Sequence, residues 1–395
     1  GCPEGRVKVL VLYDERFTHI GALWDHLQAF ASSRHDVRFA SGVRQRSAPP
    51  EGFDAVVVHY SVRMSFPQNP VAWLRGFQGR KILFMQDEYE GTEHARRNME
   101  QAGFDVLFTN IPTLEDARTI YPVERFPQLA FAHVLTGYVA PTLEHVTTKP
   151  LRERACHVAY RGRDLPFVYG ALGQEKVKIG RGMKAACFAR KVPHDIAWDD
   201  NSRIYGDAWY DFLAGARATL VTETGSNVWD WDGYGYSREQ IARANNPAAS
   251  CAAILEMLEL REGTIQMGQV SSKVFEAVAL RTAIIAFPGE YSGALKPEHY
   301  IRLEKDFSNF DAVFRQLEDA EALQKMADRA HDDIIASGHW SYDRLTDLLD
   351  GALDAAPSCD PVQYRVRREE WRGRYAVTLN PLRPQEAVDL ELQHA

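Results

Sequence analysis

At 395 residues the chain is long enough for two or three domains. Hydrophobic residues make up 45% and charged residues 25%, the balance of a soluble globular protein, and a net charge of -8 argues against a broad basic face that reads a nucleic-acid backbone. No apolar run approaches the ~20 residues of a membrane span, no secretory signal is expected, and five scattered cysteines without a C-x-x-C suggest neither a disulfide framework nor a zinc site.

Residues 7–13 read as a buried strand opening a domain, 14–19 as the loop at its carboxyl end, and 21–30 as the following helix. Residues 37–40, 55–60, 81–85 and 105–109 supply four more strands, with helical stretches between most of them. That alternation predicts a doubly wound parallel sheet. In such sheets ligands sit beyond the carboxyl edge. Tyr60-Ser-Val-Arg63, Gln86-Asp-Glu-Tyr89 and Asn110 fall there. Asp87 and Glu88 are therefore candidates for acceptor binding or general-base work; acids set against a helix dipole are the alternative.

Residues 137–154, with Pro141 and Pro150 and no period, mark a linker. Residues 156–160 start a second sheet, and Arg161-Gly-Arg163 at once follows. Two arginines at a strand's end suit a phosphate or carboxylate; plain loop charge is the alternative. Residues 167–178 predict a helix on which Lys176 reaches the same pocket or caps the helix end. Residues 184–188 and 195–197 carry no clear pattern, 209–213 read as a short helix, 218–222 as a strand, and Glu223 opens the loop after it. Residues 228–236, Val-Trp-Asp-Trp-Asp-Gly-Tyr-Gly-Tyr, form the densest aromatic and acidic cluster in the chain. Aromatic faces stack on sugar rings, and Asp230 and Asp232 suit hydroxyl binding or acid–base and nucleophilic roles. A divalent-metal pair and a packed tryptophan corner with capping aspartates are the rival readings. Extended backbone would set Trp229 and Trp231 on one side and both aspartates on the other. Helices follow at 238–244, with Ser237 as a cap, and at 249–260.

The stretch 268–287 reads as loop, helix and buried strand. Ser271 or Ser272 caps the helix, Val274, Phe275, Val278 and Ala279 form its core face, and 283–287 are the strand. Lys273 and Glu276, three apart, share one face near the first turn. A helix start attracts phosphate, Lys273 adds positive charge, and Glu276 offers an acceptor for both hydroxyls of a ribose. Together they suggest a nucleotide; a surface salt bridge is the plainer alternative. His299 precedes a strand at 300–303 and is either a phosphate donor or structural. Helices are expected through 317, at 321–337 and at 342–353; 355–361 break the pattern, and the basic run 365–374 suits anionic lipid or a partner protein.

Phe275-Glu-Ala277 before a short apolar strand resembles the donor-binding helix of GT-B glycosyltransferases. The continuation from Gly289-Glu-Tyr-Ser-Gly to Ile301, then Lys305-Asp-Phe-Ser-Asn309, resembles bacterial surface-polysaccharide glycosyltransferases with a spore-maturation-protein-like C-terminal domain, over about 155–345. The resemblance implies two Rossmann-like doubly wound domains facing across a cleft. Residues 1–140 form the acceptor side, 155–340 the nucleotide-sugar side, and 341–395 cross back onto the first domain. It implies transfer of a sugar from a nucleotide-sugar donor to a hydroxyl of a lipopolysaccharide, capsule or related glycan, free or lipid-linked. No metal and no cofactor beyond the donor are implied, and no nucleic-acid partner. The expected setting is cytoplasmic, with peripheral contact at the inner face of the membrane or with polysaccharide-assembly proteins. By the same resemblance Glu276 takes the ribose, and Lys273, Arg161, Arg163, Ser271, Ser272 and His299 surround the phosphates. Asp230, Asp232 and Glu223 face the sugar, and Asp87 or Glu88 serves as base if the reaction inverts. Glu223 and Glu276 resemble a glutamate pair of retaining enzymes, but the long segment 224–275 between them departs from the family spacing. The alternatives are a GT-B-like sugar-nucleotide epimerase and a non-catalytic carbohydrate-binding or scaffold protein. An NAD-dependent enzyme is disfavoured, because no G-x-G-x-x-G follows 7–13.

Overall fold

The structure, a computed structural model, describes residues 5–18, 20–44, 48–49, 51–263 and 265–354. The chain divides into two compact units. Among the described residues, the first takes those up to Val134, the short segment Asp230–Tyr234, and Tyr342–Asp354; the second takes those of Leu135–Trp229 and Gly235–Ser341.

In the first unit β1 (Lys8–Tyr13), α1 (Gly21–Ala31), β2 (Asp36–Ser41), β3 (Ala55–Val58), β4 (Arg80–Phe84), α2 (Thr92–Ala102), β5 (Val106–Thr109), α3 (Leu114–Ile120) and β6 (Ala130–His133) follow in turn. The strands make one parallel sheet in the order β2-β1-β3-β4-β5-β6. After the charged residues that open β1 and β4, the central strands are apolar and buried on both faces, as parallel strands covered by crossover helices must be. The sixth strand was not expected from sequence. It is a short, half-buried edge strand with no run of β-branched residues.

The second unit runs β7 (Cys156–Arg161), α4 (Gly170–Ala189), β8 (His194–Ala197), α5 (Asp207–Ala214), β9 (Ala216–Val221), α6 (Gly235–Asn245), α7 (Cys251–Met257), α8 (Ser272–Ala279), β10 (Ala283–Ala286), β11 (Ile301–Arg302), α9 (Phe310–Glu318) and α10 (Ala320–Ala330). A π-helical turn over His331–Ala336 continues α10. The sheet is again parallel, in the order β11-β10-β9-β7-β8. Its core joins Val158, Tyr160, Ile179, Met183, Leu220, Ile285 and Phe287. Here α4 runs well past 178 and absorbs the patternless 184–188, while 195–197 lie in β8. Four glycines dilute the apolar period of α4. Ser237 sits inside α6 rather than before it, and Ser250 is the residue whose hydroxyl caps α7, accepting from Ala253 N–H at 3.2 Å.

The last described helix, α11 (Tyr342–Asp354), belongs to the first unit. It packs along α1, with Thr346 Oγ1 donating to Ala29 O at 2.9 Å and Ser33 Oγ donating to Asp350. Two doubly wound parallel sheets with a closing helix returned to the first are the GT-B elements expected from the sequence. The break at 355–361 and the basic run 365–374 lie outside the described residues.

Candidate functional site

Both sheets change winding direction at one place. In the second unit β7 leads outward to β8, and the chain then crosses back to β9 on the other side of β7. The crevice beyond the carboxyl ends of β7 and β9 is where an open α/β sheet takes its ligand. Arg161 ends β7, and Glu223 and Thr224 follow β9.

The first turn of α8 faces this place. Ser271 stands at its N-cap without a side-chain cap bond, and Ser272 is the first helical residue. The first amides of a helix have no partner within it, so this end presents free donors and the positive pole of the dipole. Gly137, from the chain entering the second unit, lies so close that a Cβ there would come within 3.1 Å of Ser272 Cβ. Thr136 Oγ1 donates to Val270 O at 3.1 Å just before the helix.

Two lysines gather beside it. Lys273 Nζ donates to Arg161 O at 2.5 Å and lies 5.1 Å from the Tyr160 ring centre and 5.2 Å from that of Trp209. Lys176, in the first half of α4, comes within 3.5 Å of Thr224 Oγ1. Burial, with the neighbouring Lys176 charge, pushes the Lys273 amine down to about 8. Burial does the same to Lys176, also to about 8, against the opposing pull of Glu175 and with help from Arg163. Two amines driven toward neutrality by burial, one also by the other's charge, form a site that an anion would stabilise.

Glu276, one turn along α8, accepts from Trp209 Nε1 at 2.7 Å. Burial pushes its pKa above the usual carboxylate value, while the indole N–H and Lys273 pull the other way. Sequence reading missed Trp209 as a partner; it sits on α5, 67 residues away, and nothing local in the chain signals the contact.

The arginines divide. Arg161 is already committed: its guanidinium binds Asp195 Oδ1 at 2.8 Å and Oδ2 at 3.0 Å, donates to Ser202 O at 2.8 Å, and covers the Phe212 ring at 4.4 Å. That fork ties β7 to β8, and the Arg161 charge still adds to the lowering of the Lys273 amine. Arg163 is exposed in the loop beyond. His299 is 2% exposed, its Nδ1 accepts from Lys296 N–H at 3.1 Å, and its Nε2 bonds Asp333 at 2.9 Å. Both ring nitrogens are committed, so the expected phosphate donor is instead a cap of its own loop.

Glu223 Oε1 accepts from the amides of Glu290 at 2.6 Å and Tyr291 at 3.3 Å. Burial pushes its pKa above the usual carboxylate value, and these two amides pull it back down. Gly289 has to be glycine for this contact, since a Cβ would sit 2.5 Å from Glu223 Cδ.

Asp230 and Asp232 lie in the first unit, beside Asp87 and Glu88. The segment closes the N-terminus of α2: Asp230 O accepts from Gly91 N–H at 2.8 Å and Trp231 O from Glu93 N–H at 2.9 Å. Asp230 N–H in turn donates to Tyr89 O at 2.8 Å. The carboxylates bind their own turn, Asp230 Oδ1 taking Gly233 N–H at 3.1 Å and Asp232 Oδ1 taking Tyr234 N–H at 3.0 Å. The backbone is a tight turn rather than a strand. Trp229 is 3% exposed and Trp231 38%. Trp231 lies under the Arg96 guanidinium at 5.4 Å.

Asp87 is exposed at a left-handed backbone position (φ 54°) and accepts from Tyr89 OH at 2.6 Å. Glu88 points inward. It is 1% exposed and accepts from Thr109 Oγ1 at 2.6 Å, Tyr121 OH at 2.8 Å and Asn110 N–H at 3.2 Å. Burial pushes it up to about 7 against those three donors. A carboxyl so enclosed does not meet an acceptor hydroxyl, and the base candidate of this loop narrows to Asp87.

Among the described residues no group of three or more His, Cys, Asp or Glu is placed to hold a metal ion, and no helix is long and apolar enough to cross a membrane.

Neither a protein-family model nor a curated protein sequence matches the chain. Solved structures do. An E. coli trehalose-6-phosphate structure bound with UDP-2-fluoro glucose aligns at TM-score 0.49 and 9% identity, over 91% of this chain and 100% of that one. Anabaena HepE in complex with UDP aligns at 0.48 and 11%, over 88% and 100%. An alpha-glucosyltransferase in complex with UDP-glucose and DNA containing an abasic site aligns at 0.48 and 9%, over 85% and 96%.

Proposed function

We propose that the chain is a nucleotide-sugar-dependent glycosyltransferase whose second unit holds the donor. The observation that carries this reading is the pair Lys176 and Lys273 beside the uncapped start of α8. Two amines driven down by burial suit the diphosphate of a sugar nucleotide. Glu276, held by Trp209, lies one turn further on and offers its carboxylate to the ribose hydroxyls. When the glycosidic bond breaks, negative charge grows on the leaving diphosphate, and fixed cations and helix amides stabilise it most at that point.

The first unit supplies the acceptor side. Asp87, Asp230 and Asp232 gather there on adjoining loops, with the partly exposed Trp231 as a face for a sugar ring. The acceptor proposed is a hydroxyl of a bacterial surface glycan, on the resemblance of residues 289–309. Asp87 is the base if the reaction inverts.

Glu276→Ala tests the donor assignment. Calorimetric titration with UDP, GDP, ADP and TDP is expected to show at least tenfold weaker binding of the best wild-type ligand, since two hydrogen bonds to a charged group are lost. Unchanged affinity would remove Glu276 from the site.

A further inference from the structure

The second half of α4 has two faces of opposite character. Ile179, Met183, Ala186 and Cys187 are buried in the core of the second unit. Lys178, Arg181, Lys184 and Phe188 recur at three- and four-residue steps, so they share one face, and all four are exposed. Lys191, just past the helix end at a left-handed backbone position (φ 57°), is exposed as well. From Lys176 to Lys191 the chain carries six basic residues and no acid, although its net charge is -8.

Neighbouring acids leave most of this charge standing. Arg190 is committed, to Asp311 at 2.7 Å and over the Phe314 ring at 4.7 Å, and Lys178 has Asp306 as a charged neighbour. Arg181 and Lys184 instead lie over the Trp198 ring, at 6.0 and 5.6 Å. The two acids that follow Trp198 are taken up locally, Asp199 by Ser202 N–H at 3.1 Å and Asp200 by Arg203 at 2.6 Å. Among the described residues no carboxylate lies within ion-pair distance of Arg181, Lys184 or Lys191.

Phe188 is 80% exposed, more than any other large apolar side chain among the described residues. A single exposed apolar residue is ordinary; one set in a stripe of cations is not. A nucleic-acid backbone uses cations over a broad face, and this stripe is one helix wide. A lipid surface takes both groups, the headgroups meeting the cations and the acyl boundary the ring.

We infer that this face of α4 docks on a membrane surface of anionic lipid, with Phe188 below the headgroups and Arg181, Lys184 and Lys191 against their phosphates. None of these side chains belongs to the donor site, and the inference does not depend on the donor reading.

Sedimentation of the full chain with vesicles tests it, using phosphatidylcholine alone and a two-to-one mixture with phosphatidylglycerol. Wild type is expected to bind the mixed vesicles at least about tenfold more strongly, and to lose that preference at high salt. The triple variant Arg181→Gln, Lys184→Gln, Lys191→Gln is expected to lose most of it, since each cation at an anionic surface is worth about fivefold. Phe188→Ser is expected to weaken binding to the mixed vesicles by about fivefold or more. Lys184→Gln alone, with its own loss of about fivefold, decides the matter if the triple variant does not fold. Wild type without a preference for the mixed vesicles overturns the inference. So does a folded cation variant that binds as wild type does, which moves the contact to another part of the chain, such as 365–374. Binding untouched by Phe188→Ser means contact by charge alone, as any polyanion makes, and overturns the assignment to a bilayer.

Discussion

Lys273→Met is expected to weaken nucleoside-diphosphate binding by about 10- to 150-fold while the protein stays folded. Methionine keeps most of the apolar stem and removes only the amine that lies beside the Tyr160 and Trp209 rings. A hydrogen bond to a charged partner contributes about 1.5–3 kcal/mol, which converts to that range of affinity. The Arg161 carbonyl loses its 2.5 Å donor, but a cation disfavoured by burial is removed at the same time, so the two stability effects oppose each other. The pH dependence follows from the same geometry. In the free protein the lysines titrate at about 8, below their usual value because burial disfavours the charged form. A bound diphosphate raises both again, so binding takes up protons near pH 8 and affinity falls as pH climbs above it. Calorimetry in buffers of different ionisation enthalpy measures the uptake. Wild-type affinity in Lys273→Met, or binding without proton uptake at pH 8, would contradict the assignment.

The second large effect lies away from the site. Asp347 on α11 is 1% exposed, and among the described residues neither carboxylate oxygen has a hydrogen-bond partner. Burial pushes it up to about 7, with Arg344 opposing and Asp343 and Asp350 adding to the rise. The fold therefore favours the protonated acid. Its contribution to stability is fully present below the unfolded value near 4 and is lost as pH rises through about 7. A shift of that size corresponds to about 4 kcal/mol. Asp347→Asn is expected to stabilise the protein by several kcal/mol at pH 8, to leave it near wild type at pH 4.5, and to flatten the pH profile between. Urea unfolding at the two pH values reads the difference. Equal stability gains at both would mean that the carboxyl is not protonated in the fold.

Much of the architecture was legible because its signals are local. The apolar runs of β1, β3, β4 and β10 are short, β-branched and bounded by polar loops, which is what a strand buried on both faces requires. The helix of Lys273 and Glu276 was legible for the same reason: its core face recurs at helical spacing and its two charges fall three apart. What the sequence hid is what depends on distant partners. Nothing near Arg161 says that Asp195 will take its guanidinium, and nothing near His299 names Asp333. The Asp230–Tyr234 turn looked like part of the donor side by its place in the chain, yet main-chain bonds to residues 89–93 set it in the first unit. Glu88 and Asp87 are neighbours in sequence with opposite fates, because a left-handed residue at Asp87 turns one side chain out and the next one in.

A crystal structure of the chain with the nucleoside diphosphate that binds it tightest tests the central claim most directly. The account predicts phosphate oxygens within hydrogen-bond distance of the Lys176 and Lys273 amines at the start of α8, and ribose hydroxyls on the Glu276 carboxylate. A nucleotide bound elsewhere, or one whose phosphates avoid both lysines, would contradict it.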